Sequence, residues 1–145
     1  FHAAFDRNPK HGMSMLTIAK ISRLMGVDNI HIGTAVGKLV GEKQDILNIQ
    51  KAITSKWDNL TDTIPVSSGG LHPGLVPQIN KMLGNDICIQ LGGGIHGHPK
   101  GSFQGAKALR QALEATEKNI TLKQHAKTNK ELKTALNTWG TLKPV

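Results

Sequence analysis

One lysine stands in a segment hinged by glycines, Gly33-Thr34-Ala35-Val36-Gly37-Lys38-Leu39-Val40-Gly41-Glu42. Glycine adopts positive φ at little steric cost, so glycines at 33, 37 and 41 let this loop close and reopen. A mobile ammonium on such a loop can meet a negative charge that develops in a transition state. Two more glycine clusters follow, Ser68-Gly69-Gly70 and Gly92-Gly93-Gly94. Each lets several backbone N–H groups converge on an anion, as in a phosphate-binding nest. His31 lies just ahead of the lysine loop and could donate to a phosphate. Taken singly, each feature has a plainer reading as a flexible turn, a tight glycine turn or a satisfied strand histidine. Two glycine clusters at consecutive strand ends of one sheet favour the anion.

Other chemistries find less support. His96-Gly97-His98 with Cys88 invites a metal, but a structural zinc site wants four ligands at defined spacing, and Cys88 sits mid-strand. No metal site is assigned. Asp6, Asp28, Asp58, Asp62 and Asp86 fall singly at turns, and no Ser–His–Asp arrangement is evident.

The 145 residues carry a formal net charge of +8. Lys20, Arg23, Lys51, Lys56, Lys107 and Arg110 fall at helix positions off the apolar faces, and Lys123, Lys127, Lys130, Lys133 and Lys143 follow in the tail. They read as a solvated basic surface. Aromatics make up 3% of the chain and do not interleave with these lysines, so no base-stacking platform appears. A small anionic substrate fits, whereas nucleic acid and membrane partners are not expected. A single cysteine, Cys88, excludes an internal disulfide and fits a reducing compartment. Neither a signal-peptide pattern nor a membrane-length apolar run is visible, so a cytoplasmic protein is expected. Residue 1 is Phe, and Phe1-His2-Ala3-Ala4-Phe5-Asp6 reads as a strand end already in progress, so a piece of a longer chain is expected.

The elements that must carry these groups alternate. Apolar spacing predicts a helix over Met13–Met25 stopped by Gly26, a strand over Asn29–Gly33, and a helix over Asp45–Lys56. A strand over Thr63–Ser67, a helix over Pro73–Leu83 and a strand over Ile87–Leu91 follow. Ser102 is expected to cap a helix running to about Lys118. The last 25 or so residues read as polar helix with Leu132, Ala135, Leu136 and Trp139 as a docking face. Apolar strands between amphipathic helices indicate parallel βα units. A complete (β/α)₈ barrel needs ~250 residues. The expected fold is therefore α/β, the C-terminal part of a TIM barrel, its strands 6–8 with their helices. Residues 1–118 form that portion and 119–145 a C-terminal helical extension.

These motifs together resemble the large subunit of ribulose-1,5-bisphosphate carboxylase/oxygenase (RuBisCO). The likeness runs from His2 to about Ala115. It is carried by His11-Gly12-Met13, by His31 through Leu39, by Pro65-Val66-Ser67-Ser68-Gly69-Gly70, and by Gln90-Leu91-Gly92-Gly93-Gly94 followed by Gly97-His98-Pro99. The run Asp6 through Met15 looks most like the archaeal-type (form III) enzymes.

The resemblance implies a role for each matching position. Lys38 matches the mobile-loop lysine that stabilises the carboxylate formed when CO₂ adds to the enediolate. His2 matches the second histidine of the family's His-Arg-x-x-His segment. His31 matches a histidine at the phosphate remote from the reacting carbons, and Ser68 a serine on a substrate hydroxyl, with Gly69 and Gly70 beside it. Gln90, Leu91, Gly92 and Gly93 match the segment whose backbone holds the other phosphate. The reaction implied adds CO₂ or O₂ to the enediolate of ribulose 1,5-bisphosphate, CO₂ giving 3-phosphoglycerate. Mg²⁺ is implied as cofactor, its ligands, a carbamylated lysine among them, lying outside this chain together with the base lysine. The implied partners are the preceding part of the subunit and a homo-oligomer built from dimers, and this piece alone is expected to be inactive. Val40 departs from the family, many members of which carry an acidic residue behind the loop lysine. The alternatives are a RuBisCO-like enolase or isomerase, and an inactive remnant that serves as an assembly piece.

Overall fold

The computed structural model describes residues 6, 8, 10–33, 36 and 43–141. Within these, helix and strand alternate: α1 (Met15–Leu24), β1 (Asn29–Gly33), α2 (Lys43–Thr54), β2 (Ile64–Ser68), α3 (Val76–Leu83) and β3 (Cys88–Gln90). Four helices complete the chain, α4 (Gly93–His96), α5 (Ser102–Glu117), α6 (Leu122–His125) and α7 (Lys130–Trp139). The strands lie in sequence order, β1-β2-β3, and both pairings are parallel. All three therefore end on the same side, with Gly33, Ser68 and Gln90 as last residues.

Local chemistry sets most element ends. Ser14 caps α1 by accepting from the Thr17 N–H at 3.2 Å. Gly26, at φ 79°, takes the left-handed turn that releases the chain toward β1. The segment expected as one helix from Pro73 splits into a 3₁₀ turn, Pro73–Leu75, and α3. Thr121 and Gln124 form a reciprocal capping box at α6.

The core lies on one face of the sheet. Ile18 and Ala19 of α1, Ile46, Ile49 and Ile53 of α2, and Ile79 and Leu83 of α3 close over Ile32, with Ile30 and Ile89 packed against them. Residues alternate between faces along a strand. On the opposite face Asn29, His31, Ile64, Cys88 and Gln90 are exposed, Ile64 at 51%. A parallel sheet ordinarily has both faces covered, and among the described residues this one has a single covered face. A second apolar cluster joins Val76 to Ala112, Ala115, Leu122, Ala126 and Leu132, which seats α6 and α7 on α5.

Three expectations need correction. Arg23 is no solvated helix cation but is 2% exposed. Its guanidinium donates to Thr61 O (2.9 Å), Ala52 O (3.0 Å), Ser55 O (2.7 Å) and Leu60 O, and pairs with Asp62 at 2.8 Å. Burial of the cation is tolerated because carbonyls at the end of α2 and in the loop before β2 replace its hydration. Ser102 does not cap α5. Gly101, at φ 90°, occupies that position, and Ser102 Oγ instead lies 2.9 Å from His96 Nδ1. The triple glycine, read as a turn closing the strand, also opens a helix: Ile95 and His96 both donate backbone N–H groups to Gly92 O and begin α4.

Candidate functional site

The aligned strand ends bring two of the sequence-designated residues into contact. Strand β1 pairs His31 with Val66, and the register then slips so that Gly33 faces Ser67. The slip coincides with Gly33 at φ 86°, a conformation suited to glycine. His31 Nδ1 lies 2.8 Å from Ser68 Oγ, two residues beyond the strand partner of His31, joining residues 37 positions apart. On the other side Ser68 pairs with Gln90 of β3. His31, Ser68 and Gln90 thus lie in a row across the carboxyl ends of three parallel strands.

The glycine clusters continue from that row. Gly69 (φ 103°) and Gly70 (φ 65°) turn the chain left-handed immediately after Ser68, geometry that a side chain would strain. Leu71 and His72 then run inward and are buried. After β3, Leu91 is buried, whereas Gly92 and Gly93 face open space: a Cβ on either would meet nothing within 4 Å. Gly94 is the reverse. Its missing side chain leaves room for Leu71 O, and a Cβ there would lie 2.7 Å from His72 Cα. The two glycine segments therefore touch backbone to backbone. The surface beside them is exposed at His31, Gly70, Gln90, Gly92 and Gly93. Exposed backbone with little side-chain cover suits an anion held by N–H groups.

Lys38 and His2 lie outside the described residues, so the geometry concerns His31, Ser68, Gly69, Gly70, Gln90, Leu91, Gly92 and Gly93. The His96-Gly97-His98 pair divides. His96 pairs with Ser102, while His98 is buried, donating from Nε2 to Glu131 O (3.1 Å) and accepting the Lys100 N–H at Nδ1 (3.1 Å). Among the described residues no three His, Cys, Asp or Glu side chains gather around one point.

Sequence reading missed what stands behind the glycine segments. Trp139, at the end of α7, stacks on His72 with ring centroids 5.8 Å apart and planes 24° from parallel. It also contacts His98 at 6.4 Å. Gly140 O occupies the space that a side chain on Gly74 would need. Trp139 was legible as part of a docking face, but its target was not, because His72 and His98 are 67 and 41 residues away (139 − 72 and 139 − 98).

No described helix is long and apolar enough to cross a membrane. Residues 1–139 match the family model described as ribulose bisphosphate carboxylase large chain, catalytic domain. The ribulose bisphosphate carboxylase of Pyrococcus furiosus is 52% identical over 143 residues, covering 99% of this chain and 34% of that protein. The octameric RuBisCO of Pyrococcus horikoshii OT3 superposes with a TM-score of 0.91 at 49% identity, over 97% of this chain and 34% of that one. The dimeric archaeal RuBisCO of Hyperthermus butylicus gives 0.86 at 40% identity, over 98% and 36%. The chain spans about a third of the length of these relatives. With a match over nearly its whole length, parallel strands ending in two glycine turns, and archaeal carboxylases at about half identity, this chain belongs to the family of the ribulose bisphosphate carboxylase large-chain catalytic domain.

Proposed function

We propose that this chain supplies the phosphate-holding and loop-lysine share of a ribulose 1,5-bisphosphate carboxylase site. The observation that carries the reading is the His31–Ser68 hydrogen bond, 2.8 Å across the ends of β1 and β2 and directly beside Gly69 and Gly70. His31 holds one substrate phosphate, the backbone of Gln90, Leu91, Gly92 and Gly93 joined by that of Gly69 and Gly70 cradles the other, and Ser68 positions a hydroxyl. Binding at both ends fixes the enediolate for attack, so part of the barrier is met by orientation. Lys38 then brings a positive charge to the carboxylate formed as CO₂ adds. A donor placed where charge develops contributes about 3 kcal/mol of transition-state stabilisation. His2 joins this site from the start of the chain.

The exposed sheet face supports a second part of the proposal. Asn29, His31, Ile64, Cys88 and Gln90 face the interior of a (β/α)₈ barrel whose other strands come from the preceding part of the subunit, and the assembled subunits form a homo-oligomer built on dimers. Residues 1–118 belong to that barrel and 119–145 extend it. The metal-binding and proton-abstracting groups come from the preceding part, so this chain alone does not turn over.

The test mixes this chain with the preceding part of the subunit, Mg²⁺, ribulose bisphosphate and labelled CO₂. Label is expected in 3-phosphoglycerate. Lys38→Met is expected to abolish incorporation while bisphosphate binding persists. A complex that assembles, binds bisphosphate and incorporates nothing would favour the assembly-piece reading. Enolisation or isomerisation of a sulfur-containing phosphate without fixation would favour the RuBisCO-like enzyme.

A further inference from the structure

The two glycine segments meet each other and α7 at one small cluster. Gly94 presses on Leu71 and His72, so the turn after β3 rests on the turn after β2. Trp139 lies against the first turn directly and against the second through α4: its ring stacks on buried His72, and a Cβ on Gly97, at the end of α4, would stand 3.5 Å from its Cζ2. His98 closes the third side. Its imidazole bridges the Lys100 N–H and Glu131 O, which ties the end of the second turn to the first turn of α7. Two close approaches lock α7 from below, Gly140 O against Gly74 and Gln78 Nε2 donating to Thr141 O at 2.9 Å. Glu131 is itself held by Gln111 (2.9 Å) and Lys107 (3.2 Å) of α5. The turn after β2, the turn after β3 and the last helix therefore share one aromatic contact.

We infer that Trp139, gripped by His72 and His98, is a positioning residue that sets the spacing between the two glycine turns and so their affinity for phosphate. It reaches no reacting atom. Its ring is the spacer on which the turn after β2 is stacked, and His98 fixes where the turn after β3 meets the same helix. An anion held by N–H groups from both turns senses that spacing directly, since hydrogen bonds weaken steeply as distance and angle depart from their optimum. A small displacement of either turn thus lowers binding before it lowers the rate of the bound complex. This inference rests on the proposed reading of the turns as a phosphate cradle.

The test uses the complete subunit carrying Trp139→Ala, Trp139→Leu and Trp139→Phe. Binding of inorganic phosphate is measured calorimetrically, beside KM and kcat for ribulose bisphosphate and the thermal midpoint. Trp139→Ala is expected to raise KM about tenfold and weaken phosphate binding by a similar factor, with kcat within twofold. Trp139→Phe, which keeps a ring to stack, is expected to recover both to within threefold. Trp139→Leu keeps an apolar filling without a ring and is expected to show the same tenfold changes, which decides the matter where Ala fails to fold. A lowered midpoint with KM and phosphate affinity unchanged per folded molecule would overturn the positioning role, as would full recovery by Leu. Absence of CO₂ incorporation by the wild-type subunit would instead strike the carboxylase reading, while phosphate binding and its dependence on Trp139 still decide this one. A wild-type subunit that binds no inorganic phosphate overturns the cradle and this role with it.

Discussion

Where the strands begin, a buried guanidinium collects carbonyls from the end of α2 and the loop before β2, and Thr63 adds bonds from its side chain to Val27 O (2.9 Å) and from its backbone to Ile53 O (3.0 Å). Where the strands end, side chains withdraw. Glycine turns, one histidine–serine contact and an aromatic stack do the holding, and backbone lies open beside them. At the first end the guanidinium of Arg23 and the hydroxyl of Thr63 are taken up by carbonyls of the chain itself. The second leaves groups unspent that an anion can engage. This difference separates the demands of stability from those of chemistry, and it can be attacked from either side.

The largest effect is expected at the closed end. Arg23→Leu leaves carbonyls of Thr61, Ala52 and Ser55 buried without their donor, and should cost about 3–5 kcal/mol in a urea unfolding experiment. Asp62 is 64% exposed, so Asp62→Asn should cost well under about 1 kcal/mol. Phosphate affinity per folded molecule should not change in either variant. A loss of affinity would merge the two ends into one.

A matched pair probes the open end. Gly94→Ala places a methyl into Leu71 O and His72 Cα, and should cost about 1–3 kcal/mol as backbone is forced apart. Gly93→Ala, one residue earlier, meets nothing within 4 Å and should stay within about 0.5 kcal/mol. Equal costs would show that the contact between the turns is loose.

The smallest effect concerns acid. Glu131 is lowered from 4.5 to about 2, first by the hydrogen bond from Gln111, then by its own backbone N–H and by Lys107. A carboxylate with a depressed folded-state pKa contributes stability that is present above 4.5 and lost as pH falls toward 2. Thermal midpoints recorded across that window should fall more steeply for the wild type than for Glu131→Gln, and the two should run parallel above it. Parallel lines throughout would remove Glu131 as an anchor of α7.

Much of this arrangement was legible because it is periodic. The alternation of helix and strand, the parallel pairing and the apolar faces of α1, α2 and α3 follow from spacing within a dozen residues. What escaped is non-local or depends on glycine. Arg23 stands off the apolar face of α1, and its partners lie 29 to 39 residues away, so sequence spacing alone does not mark it as buried. Gly92-Gly93-Gly94 has low helix propensity and reads as a turn, yet Gly93 and Gly94 open α4, with Gly94 close against Leu71 and His72. Ser102 has the right chemistry for a cap, but Gly101 precedes it with the positive φ that the turn needs. Of the site, the residue types at the strand ends could be named from sequence. That His31 and Ser68 touch depends on the pairing of β1 with β2, which brings together residues 37 positions apart.

The stack of Trp139 on His72 has an optical consequence. The chain holds two tryptophans and no tyrosine. Trp57 is 36% exposed in the segment whose flanking carbonyls, Ser55 O and Leu60 O, are taken by Arg23, so it emits from the closed end. Trp139 emits from the open end, stacked on an imidazole that can quench it. Each end of the sheet thus carries its own fluorophore, and replacing either one with phenylalanine would leave these 145 residues one tryptophan, whose emission follows one end alone.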